Sequence, residues 1–476
     1  MSAVKKFFTN YKEIPFFYSA WMNVILGVFI YLFWFFEIGI YGIVVLLALV
    51  GVLLALCRDA SPLAVFAPYV VMLISDNLNA LDSFVYFSIG FAVMALGIVV
   101  HFIRFKPFRS FGKIKGFIIA AVLMGVAMAI GGIGVKGRAV IPAITVVGLS
   151  LLSVAAAFFI YATMGRDDPK RFVNLLLYGL LTCAIVALAQ MITVIIRTGD
   201  PVHAISTKYE INTGWGHPNY IANFLARGIP VAIYFSTREK KLSELWLLVA
   251  AVFGVAIVAT SARATLLVAL VMSVVCAIYF VPKMEKKGSW LCVFFMIIGL
   301  TLIGVGAMGG RIKKLLDTYI RHGIDSSGRF DLWRIALERF KEKPIFGMGF
   351  DYDLGGRTEL NPSNTQFTPY WYHNTWIQAL SSLGIVGTLA LILFTYRQYE
   401  CFIRTKNPTV YALMFCLVMI QGAALLDVYY FLPQDYLLML VMTIAALKTL
   451  PEDKGNSWFY PLLERIKKNK TKEKKQ

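Results

Sequence analysis

Long apolar runs separated by short polar segments occupy almost the whole chain of 476 residues. Each run holds about 17–25 mainly apolar residues, enough for a helix to cross a hydrocarbon core of about 30 Å. The pattern predicts an all-α integral membrane protein with about fourteen transmembrane helices (range about 12–14). The predicted spans are 16–35, 39–57, 61–75, 84–102, 116–134, 139–163, 172–196, 219–235, 245–260, 264–281, 290–308, 374–395, 410–427 and 433–448.

Basic residues are distributed unevenly between alternate connections. The N-terminus, with Lys5, Lys6 and Lys12, and the even-numbered connections hold most of the Lys and Arg, whereas the short odd-numbered connections hold few. Short cytoplasmic loops are enriched in Lys and Arg, so both termini are predicted to be cytoplasmic. The long segment 309–373 then falls outside, although it is basic, because long loops translocate largely regardless of charge. The net charge of +19 therefore indicates topology, and no nucleic-acid partner is predicted.

These assignments divide the chain into five parts. No small-residue cleavage site follows the first apolar run, so that run is expected to remain as an anchor. The predicted parts are N-terminal transmembrane helices (1–196), central transmembrane helices with outer loops that carry part of the site (197–308), a long extracytoplasmic loop (309–373), C-terminal transmembrane helices (374–448) and a basic cytoplasmic tail (449–476).

Two short outer connections carry candidate site residues. "TSARAT" places Arg263 at the membrane boundary, where it either extends to the surface or faces the bundle and holds an anion. "GWGHPN" is rich in turn residues and predicts a tight re-entry into the membrane. His217 and Asn219 in it are candidates for substrate binding; the alternatives are a turn histidine and a helix N-cap.

The long loop predicts an amphipathic helix in "SSGRFDLWRIALERF". Its apolar residues recur at helical spacing, and the stripe is expected to be buried in lipid or protein. Arg329 lies in the predicted first turn, where free backbone N–H groups and the helix dipole favour an anion. Among the charges of this helix, Arg329 is therefore the candidate site residue.

Two further candidates lie in or beside apolar runs. In "YWYHNTW", aromatic residues typical of a membrane interface surround His373 and Asn374. His373 can accept a proton from a hydroxyl, and Asn374 either binds substrate or caps the following helix. Arg227 lies about 12 Å inside its predicted span. A buried arginine faces a partner or a cavity, so Arg227 either binds substrate or pairs with a polar residue such as Gln190 or Gln421.

Arginines that hold phosphate and a histidine that accepts a proton favour one class of reaction. They indicate group transfer from a lipid pyrophosphate outside the cytoplasm. The surface helix suits a substrate with a long apolar tail. Asp351 and Asp353 form only a weak metal pattern, so neither a metal nor a cofactor is predicted.

The order of "GWGHPN", "TSAR", "GRFDLW", "KPIFGMG" and "YHNTWIQALSSLGIVG" resembles the O-antigen ligase and O-antigen polymerase family of bacterial membrane glycosyltransferases. The resemblance is concentrated in residues 210–390. It implies a metal-independent enzyme that uses undecaprenyl-diphosphate-linked oligosaccharide as donor and has its active site on the outer face of the cell membrane. The family's catalytic arginines and histidine match Arg263, Arg329 and His373. Arg227 has no counterpart in the family pattern.

The resemblance leaves the acceptor open. A polymerase extends a second lipid-linked repeat unit, whereas a ligase modifies a lipid A core or a protein. The Lys-rich, cysteine-poor composition is compatible with a Gram-positive source without lipid A, which favours the polymerase. The expected partners are the lipid-linked donor, a glycan acceptor, membrane lipids and polysaccharide assembly proteins such as a chain-length regulator. A lipid-linked glycan flippase is the rival class, but no internal repeat supports it.

Overall fold

The computed structural model describes residues 13–74, 80–107, 114–136, 140–206, 210–215, 218–285, 329–350, 372–405 and 407–450, with a few positions between 288 and 302. These residues form helices and connections, and none of them lies in a strand. The helices are α1 (Ala20–Phe35), α2 (Gly39–Leu56), α3 (Phe66–Val71), α4 (Ala80–Phe105), α5 (Lys115–Ile130), α6 (Val140–Thr163), α7 (Pro169–Arg197), α8 (Pro201–Ser206), α9 (Pro218–Arg238), α10 (Ser243–Ala259), α11 (Arg263–Phe280), α12 (Arg329–Glu342), α13 (Thr375–Thr405), α14 (Pro408–Ala423) and α15 (Pro433–Lys448).

Seven stretches within the described residues are long and apolar enough to cross a membrane, and they lie in α2, α4, α6, α7, α10, α11 and α13. Shorter apolar stretches form α1, α5, α14 and the segment around α3. On α4, Ile89, Leu96 and Ile103 recur every seven residues and are all more than half exposed, as expected for a face in lipid. The prediction of an all-α, multi-pass membrane protein is confirmed.

The predicted count of about fourteen spans is not supported by these seven stretches. The predicted span 61–75 is wrong: a 3-10 turn (Ser61–Leu63) precedes α3, which has six residues. Six residues rise only about 9 Å, far less than a bilayer core. Pro62 and Pro68 remove backbone donors that a continuous helix needs. The predicted span 290–308 lies mostly outside the described residues.

Helix α9 is the central helix of the bundle. It packs against α7, α10, α11 and α14, and every residue from Ile221 to Ser236 is buried. The approach is close at Gly228, where a Cβ atom would lie 2.6 Å from the Cβ of Ala184. A helix buried on all sides needs a protein partner for any charge that it carries, which makes the surroundings of Arg227 informative.

The segment that follows α12 is docked onto α13 through backbone groups. Residues 344–349 and 381–386 form four backbone hydrogen bonds of 2.8–3.2 Å. Helix α13 is interrupted at Gly384, where φ is 65° and ψ is −161°. A Cβ atom on Gly384 would lie 2.4 Å from the carbonyl oxygen of Ile345. The docking therefore requires glycine at this position and fixes the end of α12 against α13.

Candidate active site

His373 lies immediately before α13 in a left-handed conformation, with φ of 50°. The next residue, Asn374, caps α13: its side-chain oxygen accepts hydrogen bonds from the N–H groups of Trp376 and Ile377. Its side-chain nitrogen donates to the carbonyl of Leu425 at 2.9 Å. The predicted cap is confirmed, and both ends of this amide are engaged in the fold.

Asp427, in the connection between α14 and α15, faces His373. Its Oδ1 lies 3.6 Å from Nδ1 of His373, and the two side chains are 13% and 44% exposed. This is the distance of a close ion pair, slightly longer than a hydrogen bond. The exposed histidine thus has a mostly buried carboxylate beside one of its two nitrogens, an arrangement that can orient the ring.

The Asp427 carboxylate is held by other groups as well. Oδ1 accepts a hydrogen bond from the N–H of Val428 at 2.9 Å, and the Asn219 amide approaches Oδ2 at 3.4 Å. Burial by itself raises the pKa of Asp427, but His373, Val428 and Asn219 outweigh it, so the pKa is lowered. Asn219 is the second residue of α9, close to the predicted N-cap position, and its side chain faces Asp427.

Helix α12 is fastened beside His373. The indole N–H of Trp333 donates to the carbonyl of Tyr372 at 2.9 Å, and Tyr372 is buried. Arg329 lies one helical turn before Trp333 on the same face of α12, so it is directed towards the start of α13. Arg329 is half-buried, and no described residue pairs with its guanidinium.

The apolar stripe of α12 is only partly covered by protein. Ala336 is the buried residue of this helix, whereas Phe330 and Leu337 are 51% and 41% exposed. The predicted helix is therefore confirmed, and of the two predicted environments for its stripe, lipid fits the exposed residues better than protein. An exposed apolar stripe is typical of a helix that lies in a membrane interface.

Arg263 is the first residue of α11, directly after the short turn at Ser261, where φ is 57°. Farther along α11, Val268 packs near Gly422, the second-last residue of α14. Arg263 precedes Val268 by about 7.5 Å along the helix, which brings it to the end of the bundle where the α14–α15 connection lies. Its side chain is exposed and makes no ion pair or hydrogen bond with the described residues.

Arg263, Arg329 and His373 therefore share one end of the bundle, hereafter the His373 end. His217 lies outside the described residues. Within the described parts of the chain, no group of three or more His, Cys, Asp and Glu side chains is placed to hold a metal ion. Metal independence stays a prediction.

Arg227 lies apart from this set. It forms an ion pair with Asp435 in the first turn of α15, and both side chains are 2% exposed. The predicted partners are wrong: Gln190 bonds to Met72 and Trp215, and Gln421 bonds to Gln398 and Tyr430. The spans predicted at 410–427 and 433–448 do not single out Asp427 and Asp435. The signal was an acidic residue at the boundary of each stretch.

Comparisons with known proteins agree with this geometry. A family model described as O-antigen ligase matches residues 247–392, a segment that includes Arg263, Arg329 and His373. A protein of Haemophilus influenzae, described as uncharacterized, is 27% identical over 194 residues, which cover 38% of this chain and 48% of the relative. This chain thus spans about half the length of that relative. The resemblance predicted from the motifs is confirmed, since residues 247–392 match the O-antigen ligase family model.

Proposed function

We propose that this protein is an extracytoplasmic membrane glycosyltransferase. It transfers a glycan from an undecaprenyl-diphosphate-linked donor to a hydroxyl group of an acceptor. The contact between His373 and Asp427, at the same end as Arg263 and Arg329, supports this proposal most strongly. The match of residues 247–392 to the O-antigen ligase family model supports the same class of reaction.

Arg263 and Arg329 bind the donor diphosphate. Neither guanidinium has a carboxylate partner among the described residues, so both can form paired hydrogen bonds with phosphate oxygens. During transfer the bond between the sugar and the diphosphate breaks, and negative charge grows on the departing diphosphate. The two arginines stabilise that charge. The exposed apolar side chains of Phe330 and Leu337 rest in the interface where the lipid tail enters.

His373 activates the acceptor. Because its Nδ1 faces Asp427, Nε2 is the nitrogen left to accept the proton of the acceptor hydroxyl. The hydroxyl oxygen then forms the new glycosidic bond. Asn219 supports Asp427, and Asn374 fixes the start of α13. His217 completes the proposed set as a substrate contact.

The protein acts in the bacterial cell membrane with the His373 end facing outwards, since the Lys/Arg bias places the long loop there. We favour polymerisation of repeat units, with a second lipid-linked repeat unit as acceptor. Ligation to a lipid A core or a protein is the second candidate, because the same geometry serves any hydroxyl. Assembly proteins such as a chain-length regulator are the expected partners.

Reconstituted protein with a labelled lipid-linked oligosaccharide tests the proposal. Transfer of label to acceptor is expected, and His373→Ala should slow it by about 10²–10⁴-fold while donor binding persists. His203→Ala is the matched control, since His203 is an exposed histidine in the short helix α8. Movement of the lipid across the bilayer without transfer would instead establish a flippase.

A further inference from the structure

Two contacts join the same pair of segments. Asn219 approaches Asp427, and Arg227 pairs with Asp435, and in both cases the partners are 208 residues apart in sequence. One contact lies at the start of α9 and the other two turns deeper. Helix α9 and the segment 427–435 are therefore matched at two points eight residues apart.

The side chains on α9 that make these contacts share one face. Asn219 and Arg227 lie eight residues apart, which keeps them within about 80° on a helix of 3.6 residues per turn. Between the two points, the hydroxyl of Tyr429 donates to the carbonyl of Asn219 at 3.1 Å. The rings of Tyr220 and Tyr429 pack edge to face with centroids 5.6 Å apart.

The two contacts differ in strength. Asn219 and Asp427 are separated by 3.4 Å, which is long for a hydrogen bond. Arg227 and Asp435 are both charged and both 2% exposed, and separating them would leave an uncompensated charge in the bundle. The ring of Phe224, with its centroid 4.7 Å from the Arg227 guanidinium carbon, adds a cation–π contact. The ion pair joins the first turn of α15 to α9, directly after the short connection that precedes α15.

We propose that Arg227 and Asp435 are positioning residues that hold the connection carrying Asp427 against α9, so that Asp427 stays beside His373. This inference rests on the proposed function, because the position of Asp427 affects turnover only if His373 activates the acceptor. The backbone of residues 425–432 is constrained by packing, because the 3-10 turn Tyr429–Phe431 within it is buried. A shift of α15 is thus passed on to Asp427.

The test replaces both charges at once with Arg227→Met and Asp435→Leu. Single replacements leave one unpaired buried charge and are expected to accumulate poorly, whereas apolar replacement of both partners is often neutral for stability. Turnover of the double variant should fall about 10–100-fold, because displacement of a catalytic group by about 1 Å costs on that order. Hydrogen exchange of the amides in 425–432 should become faster.

The pH profile separates positioning from charge compensation. The charged or titratable groups around Asp427 are His373, Tyr220, Tyr429 and Asp435. Without close contact to His373, Asp427 becomes protonated at a higher pH, so the acidic limb of the transfer rate should move upwards. Wild-type turnover, pH profile and exchange in the double variant would overturn the proposal, because the ion pair would then only neutralise charge.

Arg171→Met with Glu13→Leu is the matched control, since this ion pair joins α7 to the segment before α1 and does not contact the connection. It should change neither the pH profile nor the exchange of 425–432. Where the double variant does not accumulate, Arg227→Lys keeps the charge without the planar fork and should accelerate the same exchange. Hydrogen exchange needs no substrate. Absence of transfer in the wild type would therefore contradict the proposed function, and exchange would still decide whether the ion pair holds the connection.

Discussion

At the residue scale, Arg263 and Arg329 make no ion pair with the described residues, whereas Arg334 and Arg339 on α12 pair with acids of the same helix. Arg329→Lys keeps the charge but loses the planar fork that binds phosphate. Loss of one such group should slow transfer by about 10²–10³-fold. Arg334→Lys is the control on the same helix, because Arg334 is exposed and pairs only with Asp331. The measurement is the transfer rate of each variant at matched expression. Equal rates for Arg329→Lys and Arg334→Lys would contradict a role of Arg329 in the site.

Arg263→Lys separates the two interpretations of Arg263. We expect a loss as large as that of Arg329→Lys, about 10²–10³-fold, because Arg263 has an exposed guanidinium at the His373 end. A normal rate together with normal donor affinity would show instead that this side chain only extends to the membrane surface. Both quantities are measured with the labelled donor.

Asp427 makes a pH-dependent contribution with a defined sign. Folding lowers its pKa, so the ionised carboxylate stabilises the native state above the unfolded value of about 3.9. This contribution is lost as the pH falls through the lowered pKa. Thermal unfolding in detergent should therefore show Asp427→Asn less stable than wild type near neutral pH, with the difference shrinking in acid.

Transfer by Asp427→Asn should also slow, by no more than the loss of about 10²–10⁴-fold expected for His373→Ala. Asp331→Asn, at an exposed acid of α12, should leave both stability and rate unchanged. A constant stability difference between Asp427→Asn and wild type at all pH values would contradict the contact with His373.

At the scale of single elements, Gly384 provides the most direct test of the docking of residues 344–349 onto α13. Gly384→Ala places a Cβ atom 2.4 Å from the carbonyl oxygen of Ile345 at a positive φ. We expect destabilisation on the order of 1–3 kcal/mol and loss of transfer, because α12 and Arg329 lose their support. Gly148→Ala is the control, since a Cβ atom there meets nothing within 4 Å. Unfolding transitions and rates that match for the two variants would contradict the docking.

The apolar pattern predicts elements well where periodicity alone decides them. The predicted span 139–163 is the helix Val140–Thr163, and 433–448 is Pro433–Lys448. The pattern fails at 61–75, where prolines break an apolar run. It also misses Asp427, because its contact with His373 joins residues 54 positions apart, and no local period records such a pairing. Arg263, Arg329 and His373 could be predicted because each lies in one of the motifs whose order resembles the family.

At the scale of the whole molecule, the orientation of the His373 end decides whether the proposed chemistry can occur outside the cytoplasm. The Lys/Arg bias predicts that the connection between α9 and α10, with Lys240 and Lys241, is cytoplasmic and that 309–373 is not. Single cysteines at Arg357 and Lys240, in a variant without native cysteines, test this with a reagent that does not cross membranes. Arg357→Cys should react in intact cells, and Lys240→Cys only after the cells are permeabilised. The reverse result would place His373, Arg263 and Arg329 on the cytoplasmic side, where a donor presented at the outer surface could not reach them.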